Sequence, residues 1–181
     1  MNTKTKDTHD LELSHSMVHY LLTIHKLKEN RGFARVTDIA KDLDLTKGSV
    51  STMLNNLKKK GFIEEEEECK FVVLTEDGHN EVHRILSSRT LLFYFLKDFV
   101  GVDAKTAEYD SCQMEHLMSE QTTEKFFNFM KTLVETGNQL VKKGSLEPKL
   151  QFKTDFDFNT FESAEEFLSH QKGDSHLPIN K

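Results

Sequence analysis

Proline is scarce in this chain: Pro148 and Pro178 are the only two among 181 residues. Proline breaks helix and sheet interiors, so everything before Pro148 is open to long helices. Cysteine is as scarce, with Cys69 and Cys112 standing 43 positions apart (112 − 69). Such spacing argues against the disulfide framework of a small exported protein. Tryptophan is absent. The longest apolar run, Leu91 to Leu96, is far too short to span a bilayer. The opening Met1-Asn2-Thr3-Lys4-Thr5-Lys6-Asp7 lacks the hydrophobic stretch of a secretory leader. A soluble, cytoplasmic protein without a membrane partner is expected. Hydrophobic residues make up 36%, a lean supply that favours burial by subunit association. Fourteen Phe exclude a wholly disordered chain despite 30% charged residues.

The net charge of −6 speaks against nucleic acid only until it is divided. Residues 1–75 hold 12 basic and 12 acidic side chains, 76–136 hold 6 and 11, and 137–181 hold 6 and 7, together the 24 and 30 of the whole chain. Within the first segment, Leu45 to Ile63 carries Lys47, Lys58, Lys59 and Lys60 and no acid. Five acids, Glu64 through Glu68, follow at once. A basic element therefore sits beside an acidic one.

Leu13, Met17, Tyr20/Leu21, Ile24 and Leu27 recur at helical spacing and predict a helix over 13–29. Thr37 is placed to cap a short second helix. Thr46 to Ser49 reads as a turn, and Val50, Met53, Leu54 and Leu57 predict a third helix ending near Gly61. Phe62-Ile63 and Phe71 to Leu74 read as two strands around the polar run 64–70. Helix, short helix, turn, helix and hairpin is the order of a winged helix-turn-helix, whose third helix enters a major groove. Beyond Thr75 come a long helix over 76–100 ended by Gly101, a helix capped by Asp103 reaching 118, and another over 120–135. The expected architecture is mainly α. Residues 1–75 form a winged helix-turn-helix and 76–136 an all-helical domain suited to dimerisation. Residues 137–181 form a tail for which two readings stand, folding back by its phenylalanines or staying partly mobile, with a candidate short helix at 161–169.

Cys112, Glu115 and His116 stand at i, i+3 and i+4, which sets a thiol, a carboxylate and an imidazole on one helix face. That set suits a first-row divalent cation. A small core cysteine beside an ordinary exposed pair is an equal reading of the local sequence. His79 and His83 form another i, i+4 pair with no third ligand nearby in sequence, and solvent-exposed histidines are the favoured reading. Cys69 reads as a bystander thiol. On the third helix, Lys47, Ser49, Ser51, Thr52 and Asn55 are placed to bond phosphates or base edges. Arg35 and Thr37, at the start of the second helix, are expected to meet DNA as well. The acidic run should be repelled by phosphate and is expected to point away from DNA.

From Ser16 to Met130 the sequence resembles the diphtheria-toxin-repressor family of metal-dependent repressors, which includes iron regulators and shorter manganese-transport regulators. The resemblance is carried by His19-Tyr20-Leu21-Leu22-Thr23-Ile24, Ala34-Arg35-Val36-Thr37-Asp38-Ile39-Ala40, Gly48-Ser49-Val50-Ser51, Val100-Gly101-Val102-Asp103 and Cys112-x-x-Glu115-His116-x-x-Ser119. It implies a homodimeric repressor of metal-homeostasis genes, acting on a palindromic double-stranded DNA operator and activated by a divalent ion that joins its two domains. It also implies that His19 falls at the first-helix ligand position, giving a metal set of His19, Cys112, Glu115 and His116. His15, one turn earlier on the same helix face, is a weaker candidate. A second metal site of the family uses a His that aligns with Arg89 here, with Leu22, Phe93 and Glu108 at other second-site positions. An Arg89–Glu108 ion pair replacing that metal is the expectation. The expected order is Fe²⁺ first by family, Zn²⁺ second by donor set and Mn²⁺ third. The rival readings are a metal-independent winged-helix regulator sensing an oxidant or small molecule through Cys112, and, more remotely, a metalloenzyme.

Overall fold

The computed structural model describes residues 13–66, 68–142, 154 and 156–170. Two compact units emerge, Met1–Val82 and His83–Lys181. No helix among the described residues is long and apolar enough to cross a membrane.

In the first unit, α1 (His15–Arg31), α2 (Val36–Asp42) and α3 (Lys47–Lys59) precede a hairpin of β1 (Ile63–Glu66) and β2 (Phe71–Leu74). Helix α1 starts where Ser14 Oγ accepts the Met17 N–H and stops at Gly32, whose φ of 79° is the left-handed cap only glycine adopts freely. The apolar positions of α1 and α3 behave as their spacing predicts: Leu21, Ile24, Val50 and Leu57 are fully buried. Lys26 on α1 bonds Asp42 on α2 at 2.9 Å. Two local expectations are corrected. Arg35, not Thr37, occupies the N-cap of α2, and Thr37 lies inside its first turn. Thr46 to Ser49 is not a separate turn, because Thr46 Oγ1 accepts the Ser49 N–H at 3.2 Å and starts α3 at Lys47.

The hairpin is also longer on its first side than the apolar residues suggest. Glu64, Glu65 and Glu66 belong to β1 and pair with Val73, Val72 and Phe71. All three glutamates stay exposed, so the backbone ladder forms without burying a carboxylate. Only Ile63 turns inward. The base of the hairpin packs against the first turn of α4 (Glu76–Tyr94) so closely that a Cβ on Gly78 would come within 2.0 Å of the Phe62 carbonyl oxygen.

The second unit takes up α4 after Val82. Beyond Val82, α4 is buried nearly all round, and two of its hydroxyls find partners inside: Ser88 Oγ meets Thr123 Oγ1 at 2.8 Å, and Thr90 Oγ1 donates to the Leu86 carbonyl at 2.8 Å. The predicted extent to Val100 holds, but Phe95–Val100 winds as a π-helical turn, closed by Gly101 at φ 85°. There Phe95 and Phe99 stack. Asp103 caps α5 (Ala104–Met114) as expected, accepting from Lys105 N and Thr106 N. Helix α5 ends four residues short of the predicted 118, and Glu115–Leu117 forms a 3-10 turn.

Helix α6 (Glu120–Lys142) runs past the expected 135. A 3-10 turn at Phe158–Thr160 and α7 (Ala164–His170) then fold back on it. The short helix expected at 161–169 is thus present, shifted to 164–170. Phe158 and Phe167 are buried against Leu91, Phe127 and Met130, and Phe161 is packed alongside. Lys131 Nζ fastens the turn before α7 by donating to the Phe161 carbonyl at 2.7 Å. Aromatic side chains pack the tail's described part onto α4 and α6 as one core. Phe152, His176 and most of the tail expected to be mobile lie outside the described residues.

Candidate metal centre and nucleic-acid interface

In the first unit, α1 sets His15 and His19 one turn apart, with their Nε2 atoms 3.0 Å from each other. The rings meet edge to face with centroids 4.5 Å apart, and both are half-buried. Two imidazole nitrogens this close share a hydrogen bond when one carries a proton, and their spacing also matches two ligands on one metal ion, since bonds of about 2.0–2.1 Å at a right angle or a tetrahedral angle separate the donors by roughly 3 Å.

In the second unit, the Cys112-x-x-Glu115-His116 motif spans the end of α5. The α-helix stops at Met114, where the Glu115 N–H still bonds the Ser111 carbonyl. Arg84 anchors the chain just beyond by donating to the Met118 carbonyl. Cys112 and His116 are half-buried, and Glu115 has no exposed surface.

The cation beside Glu115 is Arg89 of α4. Its Nε and Nη2 donate to the two carboxylate oxygens, the Nη2 bond to Oε1 measuring 2.7 Å. The same Nη2 lies 3.5 Å from Cys112 Sγ. This corrects the expected Arg89–Glu108 pair: Glu108 acts on Arg89 only through its charge, while Glu115 takes the guanidinium in a fork. Burial explains the choice. A carboxylate removed from water needs a partner, whereas Glu108 remains partly solvated. Burial works against the Arg89 charge too, but the bonds and charge of Glu115 outweigh it and raise the Arg89 pKa. Burial pushes Glu115 up while Arg89 holds it down. The Cys112 thiol is likewise raised by burial, with Arg89 pulling the other way. Thiol ligation therefore needs an ion strong enough to displace its proton.

Within the second unit, Cys112 offers sulfur, His116 offers imidazole, and each Glu115 oxygen keeps acceptor capacity beyond its bond from Arg89, donor types that suit a divalent transition ion.

Every residue expected to meet DNA is exposed: Arg35, Thr37, Lys47, Ser49, Ser51, Thr52 and Asn55. Ser49 Oγ shares a 2.9 Å hydrogen bond with the capping Thr46 Oγ1, and Thr52 Oγ1 donates to the Gly48 carbonyl at 3.0 Å. Those two hydroxyls help to build the helix end they decorate. Arg35 carries a feature that sequence reading missed. Its guanidinium carbon lies 4.9 Å from the ring centres of both Phe33 and Phe71, which stack 5.1 Å apart. The Val72 N–H bonds the Ala34 carbonyl at 2.8 Å and ties this loop to the wing strand. Aromatic residues flanking Arg35 at 33 and across the hairpin at 71 are the only sequence signal of that platform. His25 of α1 also faces His79, with ring centres 6.3 Å apart. Its pKa is lowered, chiefly by burial.

Residues 12–68 match the family described as iron dependent repressor, N-terminal DNA binding domain. Residues 75–138 match the iron dependent repressor metal binding and dimerisation domain. An uncharacterised HTH-type transcriptional regulator of Methanocaldococcus jannaschii is 33% identical over 119 residues, 65% of this chain and 94% of that protein. The HTH-type transcriptional regulator MntR of Lysinibacillus sphaericus is 30% identical over 128 residues, 71% of this chain and 90% of its own. The crystal structure of the hypothetical protein SSo2273 from Sulfolobus solfataricus superposes with a TM-score of 0.56 at 28% identity, covering 65% of this chain and 89% of that one.

Proposed function

This chain belongs to the iron dependent repressor family, and from that premise we propose that one divalent ion per subunit, held by His19, Cys112, Glu115 and His116, switches its DNA binding on. It is a metal-dependent DNA-binding transcriptional regulator. What supports the ligand assignment is the Cys112-x-x-Glu115-His116 sequence at the end of α5, inside the stretch matching a metal-binding domain. When bound, the ion supplies bonds of fixed length and angle to side chains from both units. His19 thereby ties the recognition helix to the dimerisation unit, and the population shifts towards the arrangement that fits DNA.

Arg89 is the permanent cation beside Glu115, in place of a second ion. Replacing it by His should raise the metal stoichiometry. Two imidazoles and a thiolate turn selectivity from Mn²⁺ towards Fe²⁺, Co²⁺ or Zn²⁺; the family puts Fe²⁺ first, the donor set puts Zn²⁺ second, and Mn²⁺ comes third. Tyr109, Leu117 and Phe129, with 66, 76 and 55% of their surfaces exposed, are the apolar side chains offered to a second copy. The resulting homodimer reads a palindromic operator in the cytoplasm and catalyses no reaction. DNA affinity measured with chelator and then with each of Fe²⁺, Zn²⁺, Co²⁺ and Mn²⁺ tests this reading. Tighter binding with metal, and only to duplexes with two half-sites, is expected. Equal affinity under chelation would return the protein to the metal-independent regulators.

Arg35 adds a contact beside the recognition helix. The Phe33–Phe71 pair holds its guanidinium in place before DNA arrives, so little side-chain freedom is lost on binding. Arg35→Ala should weaken DNA binding about 5–10-fold and flatten its salt dependence by roughly one counterion. Phe71→Leu, which keeps the charge but removes one ring, should give a smaller loss with the salt slope unchanged. Fluorescence anisotropy at several salt concentrations reads both.

A further inference from the structure

We infer that α1 contributes two ligands to the metal, His15 as well as His19, and that this histidine pair turns selectivity away from Mn²⁺. The inference rests on the reading that His19 is a ligand and adds a residue that the motif did not require. Its support is the 3.0 Å approach of the two Nε2 atoms within one helix. As a hydrogen bond, that approach needs one Nε2 to carry a proton and the other to be bare. As a ligand pair it needs both bare, with the protons on Nδ1. The ring positions serve either state, because two donors on one transition ion stand roughly 3 Å apart.

The helix makes the pair inexpensive to use. Residues four apart lie on one face, and the first turn that carries His15 is already fixed by the Ser14 cap, whose Oγ accepts the Met17 N–H at 3.3 Å. Once one imidazole holds the ion, the other meets it at high effective concentration. A second neutral nitrogen donor adds little for Mn²⁺, which prefers oxygen, and more for Fe²⁺, Co²⁺ and Zn²⁺. The ion then also staples the start of α1.

Cobalt provides the probe, because its visible absorption reports ligand number and type directly. Full-length wild type, His15→Ala, His15→Asp and His19→Ala are titrated with Co²⁺, and Zn²⁺ and Mn²⁺ affinities follow by competition. His15→Ala is expected to weaken Co²⁺ and Zn²⁺ by roughly tenfold or more, shift the cobalt bands, and change Mn²⁺ by less than about threefold. His15→Asp replaces nitrogen by oxygen and should move the preference towards Mn²⁺, which a merely structural histidine would not do. If His15→Ala binds Co²⁺ like wild type while His19→Ala does not, the two-histidine inference is overturned and the proposed function stands. If neither substitution matters, His19 is no ligand and the underlying assignment falls with it. Should His15→Ala lose helix content by circular dichroism, His15→Asp alone decides: an unchanged Co²⁺/Mn²⁺ ratio overturns the inference.

Discussion

His116→Ala should bind operator DNA with the same weak affinity whether metal is present or chelated. At the end of α5 the chain leaves the α-helix at Met114 and winds through a 3-10 turn carrying His116. That turn is anchored on the far side by Arg84 bonding the Met118 carbonyl. Removing the imidazole takes away a donor, while the backbone anchor from Arg84 to the Met118 carbonyl does not involve the His116 side chain. Coupling between an effector and a distant ligand is typically about 1–3 kcal/mol, or roughly 5–150-fold. The loss in metal-saturated DNA affinity should fall in that range, while affinity under chelation stays at the wild-type level. A variant that still responds to metal like wild type would remove His116 from the ligand set. A variant that also loses its chelated, basal affinity would point to a folding defect, which thermal unfolding would reveal.

Replacing Arg89 by Met should destabilise the protein by about 3–5 kcal/mol near neutral pH, the usual cost of stranding one member of a buried ion pair. Glu115 has no exposed side-chain surface and Arg89 only 11%. Without the guanidinium, the carboxylate is left as a buried, uncompensated charge. The loss should shrink in acid, because burial already raises the Glu115 pKa and protonation removes the charge that lacks a partner. Adding Glu115→Leu should recover most of the stability, since a matched apolar pair of similar volume is often as stable as the ion pair. Urea unfolding of the two variants at two pH values checks each part. A loss below about 1 kcal/mol for the single variant would mean that water or another cation reaches Glu115.

These side chains also show how far the sequence could be read. The apolar spacing of α3 was legible because that helix has one face inside and one outside, whereas α1 is buried on every side from Tyr20 to Ile24 and its spacing marked only part of what it buries. Asp103 was legible as a cap because its carboxylate serves the N–H groups of residues two and three positions on. The partner of Arg89 was not legible. Glu108 and Glu115 stand seven residues apart on α5 and its extension, so helical periodicity offers both, and only burial decides. The first wing strand was obscured by its three glutamates, whose low strand propensity is overridden when both faces remain in water. The π-helical turn at Phe95–Val100 left no trace, because one wide turn barely disturbs a pattern of phenylalanines. The tail's packing was half visible. Its phenylalanines signalled a buried surface, but nothing in their spacing named α6 and Leu91 as the partners.

The central claim is that occupancy of one metal site controls DNA binding. A single titration of Co²⁺ into protein with fluorescent operator tests it most directly, recording cobalt absorption and DNA anisotropy from the same cuvette. The two signals should rise together and saturate at one ion per subunit. DNA already bound before cobalt is added, or anisotropy that stays flat while the site fills, would contradict the account.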